Sequence, residues 1–511
     1  MQPAFRGRWG APALTAFTLT MTTPLEAAAQ TNQELLRAMR SMEQRILQLE
    51  HKVRTQDELI ETLRNTEDTE GAARAAGSAS GDPASPATVQ PASASPATVQ
   101  PASASPATVQ PASASPATVQ AASAWPATVQ PASAPWSPSQ PIPLLSGSRG
   151  YLNLSLVGIV DAGWSTRRDP TRIQLGDHDP IRRGFSLPSE ELVLEGAVDP
   201  YFRAAASIVF HLDEHNQTEV ELEELFLVTT SLPWNLQLKA GQFLAEFGRV
   251  NQQHPHAWDF VDVPLIAGRV LGPEGLRNPG ARLSYLLPTP FYAELALAVH
   301  NSEGGKAYSF RNEEALFGRD ADVGDPHSAG DLLYVPRLAS SFEVGDEHTV
   351  LAGVSGAFGP NASGHDTDTQ IYGFDLYWKW KPVSHDGGFP FLAWQTEAMV
   401  RRYEAGQVVD LGLPRQTLED YGVYSQIVYG PARRWVTALR GEWVDGDHGA
   451  SPSDESTARR VRISPNLTFH PTEFSKVRLQ YNYDHSAALE SDHSLWLQTE
   501  FLLGAHAAHR F

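Results

Sequence analysis

The C-terminal part of the chain consists of short segments in which apolar and polar residues alternate. Near the C-terminus, Val477, Leu479 and Tyr481 share one face of such a segment, whereas Lys476 and Arg478 share the other. A period of two residues is that of a β-strand. Sequence segments of this kind, about sixteen in all, fill the last 361 residues. The pattern predicts an all-β domain of about sixteen antiparallel strands.

Residues 148–511 are predicted to form a transmembrane β-barrel. A period of two does not by itself distinguish a soluble sheet from a barrel in a membrane. Segments of about ten residues with aromatic side chains near their ends are, however, typical of outer-membrane barrels. The aromatic residues concerned are Tyr372, Phe374, Trp378, Trp380, Trp435, Trp443, Tyr481 and Tyr483. The chain has no run of about 20 apolar residues, which a membrane-spanning helix would require.

Residues 30–70 have a different period. Their apolar residues recur at alternating steps of four and three, with Gln56 the only polar residue in the series. The series comprises Leu35, Met39, Met42, Ile46, Leu49, Val53, Gln56, Ile60 and Leu63. This heptad pattern predicts a coiled coil with a preference for two strands, and the alternative is a single amphipathic helix packed on a domain.

Residues 71–147 are predicted to be a disordered spacer rich in Pro, Ala and Ser. Five copies of a ten-residue unit run from Ser85 to Ala134, and three of them read SPATVQPASA. This composition offers too little apolar surface to form a packed core. The spacer would separate the coiled coil from the barrel.

Residues 1–29 have the order of a secretory signal peptide. Arg6 and Arg8 precede a modestly apolar stretch, which ends near three alanines at 27–29. Charge, apolar run and small-residue site in this order direct a chain out of the cytoplasm. The alternative is a disordered cytosolic tail.

The final residue, Phe511, shares its parity with the apolar residues of the last predicted strand, including Leu497 and Leu503. An aromatic residue at the end of such a strand resembles the sorting signal of bacterial outer-membrane proteins. The sequence therefore predicts a bacterial outer-membrane protein in contact with outer-membrane lipid.

Composition excludes several classes of function. The chain has no Cys, so a disulfide framework, a zinc-thiolate site and a Cys nucleophile are ruled out. Its formal charge of −20 argues against a nucleic-acid partner. No local motif singles out a nucleophile with its base, so the sequence indicates neither an enzyme nor a cofactor. Residues 148–511 contain 48 acidic and 30 basic residues, which favours cations over anions in a pore.

The polar faces of the predicted strands carry charge of opposite sign in two places. Glu219, Glu221 and Glu223 form an acidic row opposite Val220 and Leu222. A basic wall on three later segments comprises Arg434, Arg440, Arg460, Arg462, Lys476 and Arg478. Two such walls would set an electric field across the pore, and the alternative is that they are ordinary solvated lumen residues. Glu224 breaks the alternation, so a β-bulge is predicted there.

Residues 248–280 form the longest segment in the early barrel that has no steady period. Its four prolines exclude a continuous strand, and loops of this length are usually functional. A porin would fold such a segment inward as a constriction. The candidate constriction residues are Asp259, Asp262, Arg269, Glu274 and Arg277. The alternative is an ordered cap at either end of the barrel.

Sixteen of the seventeen histidines lie in the barrel region. Imidazole and carboxylate together suit zinc, so His211, His215, His254 and His256 are weak candidates for transient metal ligands. Scattered surface histidines explain the pattern equally well, and the sequence does not predict a resident metal.

Three stretches carry a resemblance to a known family: GQFLAEFGRVNQQHPHAWDFVDVPL, LGPEGLRNPGARLSYLLPTPFY and the closing SLWLQTEFLLGAHAAHRF. They resemble bacterial outer-membrane proteins described as porins of the phosphate-selective type or as zinc-regulated outer-membrane receptors. The resemblance implies a barrel of about sixteen strands, a homotrimer and a coiled coil in the periplasm. The chain departs from the family in two respects: its barrel is acidic with only five Lys, and no plug-sized globular domain precedes it.

The sequence thus predicts a porin-like channel for passive diffusion of small hydrophilic solutes or ions, with a preference for cations. The coiled coil would serve oligomerisation or contact with the cell wall. The main alternative is a receptor for a metal such as zinc or for another solute. A structural tether or adhesin is a further alternative, in which the coil and spacer would carry the function.

Overall fold

The computed structural model describes residues 140–147, 150–213, 215–313, 316–319, 326–447 and 457–504. The predicted signal peptide, the coiled coil, nearly all of the spacer and Phe511 lie outside these residues. The sheet begins at Ile142, six residues before the predicted start of the barrel domain at residue 148.

The described residues form seventeen strands in a single sheet. In chain order the strands are β1 Ile142–Ser146, β2 Tyr151–Ser165, β3 Gly184–Ala197, β4 Phe202–Leu212, β5 Thr218–Thr229, β6 Leu236–Leu244, β7 Arg277–Leu286, β8 Tyr292–Asn301, β9 Leu332–Val344, β10 His348–Pro360, β11 Asp368–Trp380, β12 Phe391–Ala405, β13 Gln416–Ala432, β14 Trp435–Gly446, β15 Arg460–Thr472, β16 Ser475–Ser486 and β17 Glu490–Leu503.

Strands β2 to β17 close into a sixteen-stranded antiparallel barrel. Each strand pairs with its neighbours in sequence, and β17 returns to pair with β2 through Leu495 opposite Trp164 and Leu503 opposite Leu156. Strand β1 is additional, because it pairs with the first residues of β2, beyond the last residue of β17 paired there. The prediction of a closed barrel of about sixteen strands is confirmed.

Side chains alternate between a polar interior and an apolar exterior. On the neighbouring strands β14 and β15, Leu439 and Ile463 are 52% and 46% exposed, whereas Arg440 and Ser464 are 1% and 0% exposed. Because large apolar side chains point outward and polar ones are buried, the usual order of a soluble protein is reversed. This reversal is typical of a barrel that spans a membrane.

The predicted β-bulge is present on β5. Opposite it, β4 pairs Ser207 with Glu224 but the next residue, Ile208, with Leu222, so Glu223 is the extra residue. The bulge lets Glu223 and Glu224 both turn inward, and both are at most partly exposed. Two consecutive carboxylates therefore face the lumen.

The two ends of the barrel differ in the length of their connections. At one end, called the short-turn end, residues 198–201, 230–235, 287–291, 345–347, 381–390, 433–434 and 473–474 join the strands. At the other, called the long-loop end, the connections include residues 166–183, 245–276 and 302–331. Strand β2 begins, and β17 ends, at the short-turn end.

Helices are short and lie in the connections. The α-helix α1 spans Leu265–Leu271, and 3-10 turns span Pro170–Arg172, Pro233–Asn235, Val250–Gln252, Pro255–Ala257, Gly305–Ala307 and Ala329–Asp331. Among the residues that the structure describes, no helix has the length and apolar character needed to cross a bilayer.

Closure of the barrel depends on a close approach at Gly163. This residue of β2 pairs with Trp496 of β17, and a Cβ atom placed on it would lie 1.8 Å from the buried Trp496 ring. We expect Gly163→Ala to destabilise the barrel by about 1–3 kcal/mol, because the ring must move. Gly441→Ala on β14 is the matched control, since its Cβ would meet nothing within 4 Å. The measurement is the temperature at which each folded barrel loses its fast electrophoretic mobility, and equal temperatures would contradict the prediction.

Candidate functional site in the barrel lumen

Residues 245–276, which join β6 to β7 and are called the lumen segment, fold into the barrel. Prolines at 255, 264 and 273 divide the segment into two 3-10 turns and helix α1. Three backbone N–H groups are held by side chains of distant strands. Arg249 donates to Glu397 of β12 at 3.0 Å, Leu265 to Glu442 of β14 at 2.6 Å, and Val261 to Gln480 of β16 at 3.0 Å. The segment therefore lies across the lumen.

Apolar residues of the segment form a core inside the barrel. Phe247, Leu265, Ile266 and Val270 are all at most 1% exposed and belong to one cluster with wall residues such as Ile371. An apolar cluster of this kind excludes water from the lumen where it packs. The middle of the lumen is thus filled rather than open.

Asp262 lies at the centre of the polar contacts. Its carboxylate accepts hydrogen bonds from Arg440 at 2.5 Å, Arg462 at 2.8 Å, Gln480 at 2.9 Å and Asn482 at 2.8 Å. Burial by itself would raise the pKa of Asp262, but the charges of Arg440 and Arg462 outweigh it and lower the pKa. The carboxylate is therefore ionised and fully paired.

The rest of the predicted basic wall contacts the lumen segment or its neighbours. Arg478 donates to the Trp258 carbonyl at 2.8 Å, and Lys476 donates to the His256 carbonyl at 2.6 Å. Arg460 forms an ion pair with Asp484 at 2.7 Å. Arg460 also donates to the Ile173 carbonyl rather than to the lumen segment. Arg434 lies in the exposed turn between β13 and β14.

A second loop, residues 166–183, also enters the lumen. Asp179 accepts a hydrogen bond from the Val263 N–H at 2.8 Å, and the Ile173 carbonyl accepts one from Arg462 at 2.6 Å. Burial, reinforced by the nearby charge of Asp262, raises the pKa of Asp179 to about 7. The loop therefore packs against the lumen segment from the long-loop end.

The acidic row meets the lumen segment at His254. The His254 Nδ1 atom lies 2.7 Å from Glu223 and 3.3 Å from Glu191, and Nε2 lies 3.1 Å from Glu224. His256 lies 2.9 Å from Glu191. Burial would lower the pKa of His254, but the surrounding carboxylates raise it well above the ordinary value.

The other predicted charges on this side form separate pairs. Arg277 contacts Glu221 and Glu274, each at 2.5 Å, and Lys306 contacts Glu221 at 2.6 Å. Glu219 lies 3.1 Å from His211 near the long-loop end. His215 lies apart from these groups, exposed and 3.8 Å from Asp213.

Arg269 of helix α1 contacts the connection between β14 and β15. It donates to the carbonyls of Thr457 and Ala458, at 3.3 and 2.6 Å. Burial lowers its pKa to about 10, the carboxylate of Asp420 opposing that shift. Asp259 is exposed and accepts one hydrogen bond from Gln426 at 3.0 Å.

Two lobes of cavities lie on either side of the lumen segment, both in the half of the barrel nearer the short-turn end, and a separate cavity of about 30 Å³ is lined by His178 and Glu223. The first lobe contains adjoining cavities of about 300, 690 and 60 Å³, each of which shares a lining residue with the other two: Gln237, Glu246 or Glu294. The second lobe is one cavity of about 900 Å³, whose lining includes Asp259 and Arg434. Among the described residues, the half of the lumen nearer the short-turn end therefore contains space for solvent, whereas the centre of the lumen is filled.

No protein-family model matches the chain. A protein of Aquifex aeolicus (strain VF5), described as uncharacterized, is 34% identical to it over an alignment of 351 residues that covers 65% of this chain and 71% of the Aquifex chain. The chain belongs to the family of this Aquifex protein.

Among the solved structures similar to this chain are an outer-membrane channel and porins. DcaP of Acinetobacter baumannii is 13% identical with a TM-score of 0.48, covering 70% of this chain and 99% of its own. OprB of Pseudomonas putida is 13% identical with a TM-score of 0.43, covering 70% and 94%. An anion-selective porin from Comamonas acidovorans is 9% identical with a TM-score of 0.43, covering 69% and 100%. At this level of similarity these structures do not indicate which solute this chain would bind or pass.

Several residues that hold the lumen segment in place do not stand out in the sequence of this chain. Glu397, Glu442 and Gln480 accept its backbone N–H groups, and Glu191 contacts both of its histidines. The signal in the sequence is their position on the polar face of a strand in which apolar and polar residues alternate. Parity does not distinguish these acceptors from other lumen residues.

Proposed function

We propose that the protein is a porin-like channel of a bacterial outer membrane, through which small hydrophilic solutes or ions diffuse passively. The observation that carries the proposal is the closed sixteen-stranded barrel with its apolar exterior and polar interior. Barrels with about this number of strands leave an aqueous interior. The protein would act without chemistry, as a channel rather than an enzyme.

The conducting path would run beside the lumen segment along strands β3 to β5. This wall carries Glu191, Glu223 and Glu224 next to the cavities of the first lobe. A row of carboxylates attracts cations and repels anions, so the path would prefer cations. The residue that sets the narrowest point would be His254, which lies among these carboxylates.

The short-turn end would face the periplasm. Outer-membrane barrels have short periplasmic turns and longer extracellular loops. Strand β2 begins at the short-turn end, where β1 pairs with it, so residues 30–141 would lie in the periplasm. The coiled coil predicted there would strengthen a homotrimer or contact the cell wall.

A receptor for a solute is the second candidate function. The filled centre of the lumen favours it, because Asp262, Arg440 and Arg462 are each at most 1% exposed and fully surrounded. In a receptor the lumen segment would remain in place and bind the solute, whereas in a channel it would leave a continuous path.

Single-channel conductance in a planar bilayer tests the proposal. We expect purified full-length protein to give small conductance steps in multiples of three, with a reversal potential in a salt gradient that indicates cation preference. The folded state is checked by the shift in electrophoretic mobility on heating. If correctly folded protein gives no conductance, the channel is excluded and the receptor remains.

A further inference from the structure

Two groups of histidine and carboxylate side chains lie next to each other where the loop 166–183 and the lumen segment meet the wall formed by β3 to β5. The inner set consists of Glu191, Glu223 and His254, and the outer set of Asp177, His178 and His211. Within each set, one ligand atom from each residue lies within 4.8 Å of the others. The sets are neighbours, because His178 and Glu223 line the same small cavity.

The inner set has the chemistry of a site for a divalent transition-metal cation. Once the ion displaces a proton from His254, the set offers an imidazole nitrogen and two carboxylate oxygens, the ligands that zinc and related ions accept. Since all three residues are buried, the ion would exchange most of its water for protein ligands. His256 lies 2.9 Å from Glu191 and is the nearest candidate for a fourth ligand.

Surrounding groups fix the carboxylates of the inner set. The Ser207 hydroxyl donates to Glu191 at 2.7 Å and reaches Glu223 at 3.3 Å, so one residue orients both ligands. Second-shell hydrogen bonds of this kind are a regular feature of metal sites. The cationic Arg277, whose charge opposes the binding of a cation, lies 3.6 Å from the other oxygen of Glu223.

The position of the two sets provides a route for an ion. The outer set lies at the long-loop end and includes the exposed Asp177. The inner set lies beside the cavity of about 300 Å³ that Glu191 and His254 line in the first lobe. An ion bound at the outer set would therefore be next to the inner set. An ion bound at the inner set would be next to the first lobe.

We propose that the β3–β5 wall binds divalent transition-metal cations, with the inner set as the principal site and the outer set as an entry site. Binding itself is independent of the proposed channel. Passage of the bound ion through the barrel rests on the proposed channel function.

The test uses full-length folded protein purified without a histidine tag and stripped with a chelator. Cobalt(II) is titrated in first, because its visible spectrum reports nitrogen and oxygen coordination, and zinc is then added to displace it. We expect one principal ion per chain, and at least a tenfold weaker affinity in Glu191→Gln and in His254→Gln. His178→Gln should abolish only a weaker second binding step. Absence of a cobalt spectrum in the wild-type protein would overturn the proposal.

Two matched controls separate the site from general effects of charge. Glu195 lies on the same strand as Glu191, but its side chain pairs with Arg203. Glu195→Gln therefore removes a carboxylate that belongs to neither set. His215→Gln removes an exposed histidine outside both sets. Both variants should bind cobalt as the wild type does. If they weaken binding as much as the inner-set variants, the ion binds elsewhere and the proposal is wrong.

Stability provides a readout for variants that fold poorly. A ligand that binds only the folded state raises its unfolding temperature. Zinc should therefore raise the unfolding temperature of the wild type and of both controls, but not that of folded Glu191→Gln. A zinc effect that persists unchanged in this variant would also overturn the proposal.

The outcomes also separate this inference from the proposed channel. Conductance without metal binding would leave the channel standing and remove the metal site. Metal binding without conductance would exclude the channel and identify the protein as a metal receptor.

Discussion

Asp262→Ala should release the lumen segment and increase the conductance of the barrel. The substitution removes the acceptor for Arg440, Arg462, Gln480 and Asn482, and leaves two buried guanidinium groups without that partner. Breaking a buried ion pair by removing one partner typically costs about 3–5 kcal/mol. Part of this cost is recovered if the segment moves out and water enters. We therefore expect larger and noisier single-channel steps together with a lower unfolding temperature.

Asp259→Ala is the matched control for this prediction. Asp259 belongs to the same segment but is exposed and accepts one hydrogen bond from Gln426. Its removal should leave the step size close to that of the wild type and the unfolding temperature nearly unchanged. Unaltered conductance in a folded Asp262→Ala barrel would show that the carboxylate does not hold the segment in place.

Glu397→Ala should loosen the start of the lumen segment. The buried Glu397 carboxylate accepts the N–H groups of Arg249 at 3.0 Å and Val250 at 2.9 Å, and it is also bonded to the Tyr424 hydroxyl. Each buried donor left without an acceptor costs about 1–3 kcal/mol. These three donors and the Gln395 amide, which donates to Glu397 at 3.2 Å, lose that acceptor. We therefore expect a loss of several kcal/mol unless water replaces the carboxylate.

Proteolysis and thermal unfolding measure this effect. Cleavage within residues 245–276 should become faster in Glu397→Ala, because the freed segment becomes accessible. Glu404→Ala on the same strand is the control, since Glu404 forms only an exposed ion pair with Arg415 at 3.3 Å. If the two variants resist protease equally, Glu397 is not an anchor of the segment.

The barrel could be predicted because each strand carries its own signal. The parity of Val220 and Leu222 against Glu221 assigns faces from neighbouring residues alone, and it also located the bulge at Glu223 and Glu224. Strand β1 was not predicted, because its sequence Ile142–Ser146 is short, contains a proline and follows a Pro-rich region. Its pairing with β2 depends on a free strand edge that only the assembled barrel creates.

The interior could be predicted only in part. The sequence identified Asp262 as a lumen candidate and Arg440 and Arg462 as a basic wall, but not that they meet. These contacts join residues 178 and 200 positions apart, and no local pattern encodes such a separation. For the same reason His254 could be identified as a candidate ligand without Glu191, which lies on strand β3.

The distances along the chain between the lumen segment and its anchors have a consequence for biogenesis. Glu397, Glu442 and Gln480 are 148, 177 and 219 residues away from the backbone groups that they bind. The segment is therefore synthesised long before the strands that will hold it, and it cannot acquire its final contacts until the last hairpins are in place. Since contacts between remote residues form slowly, the interior should be the last part of the barrel to mature. A newly inserted barrel would then pass through a leaky stage, with its wall complete and its centre still hydrated.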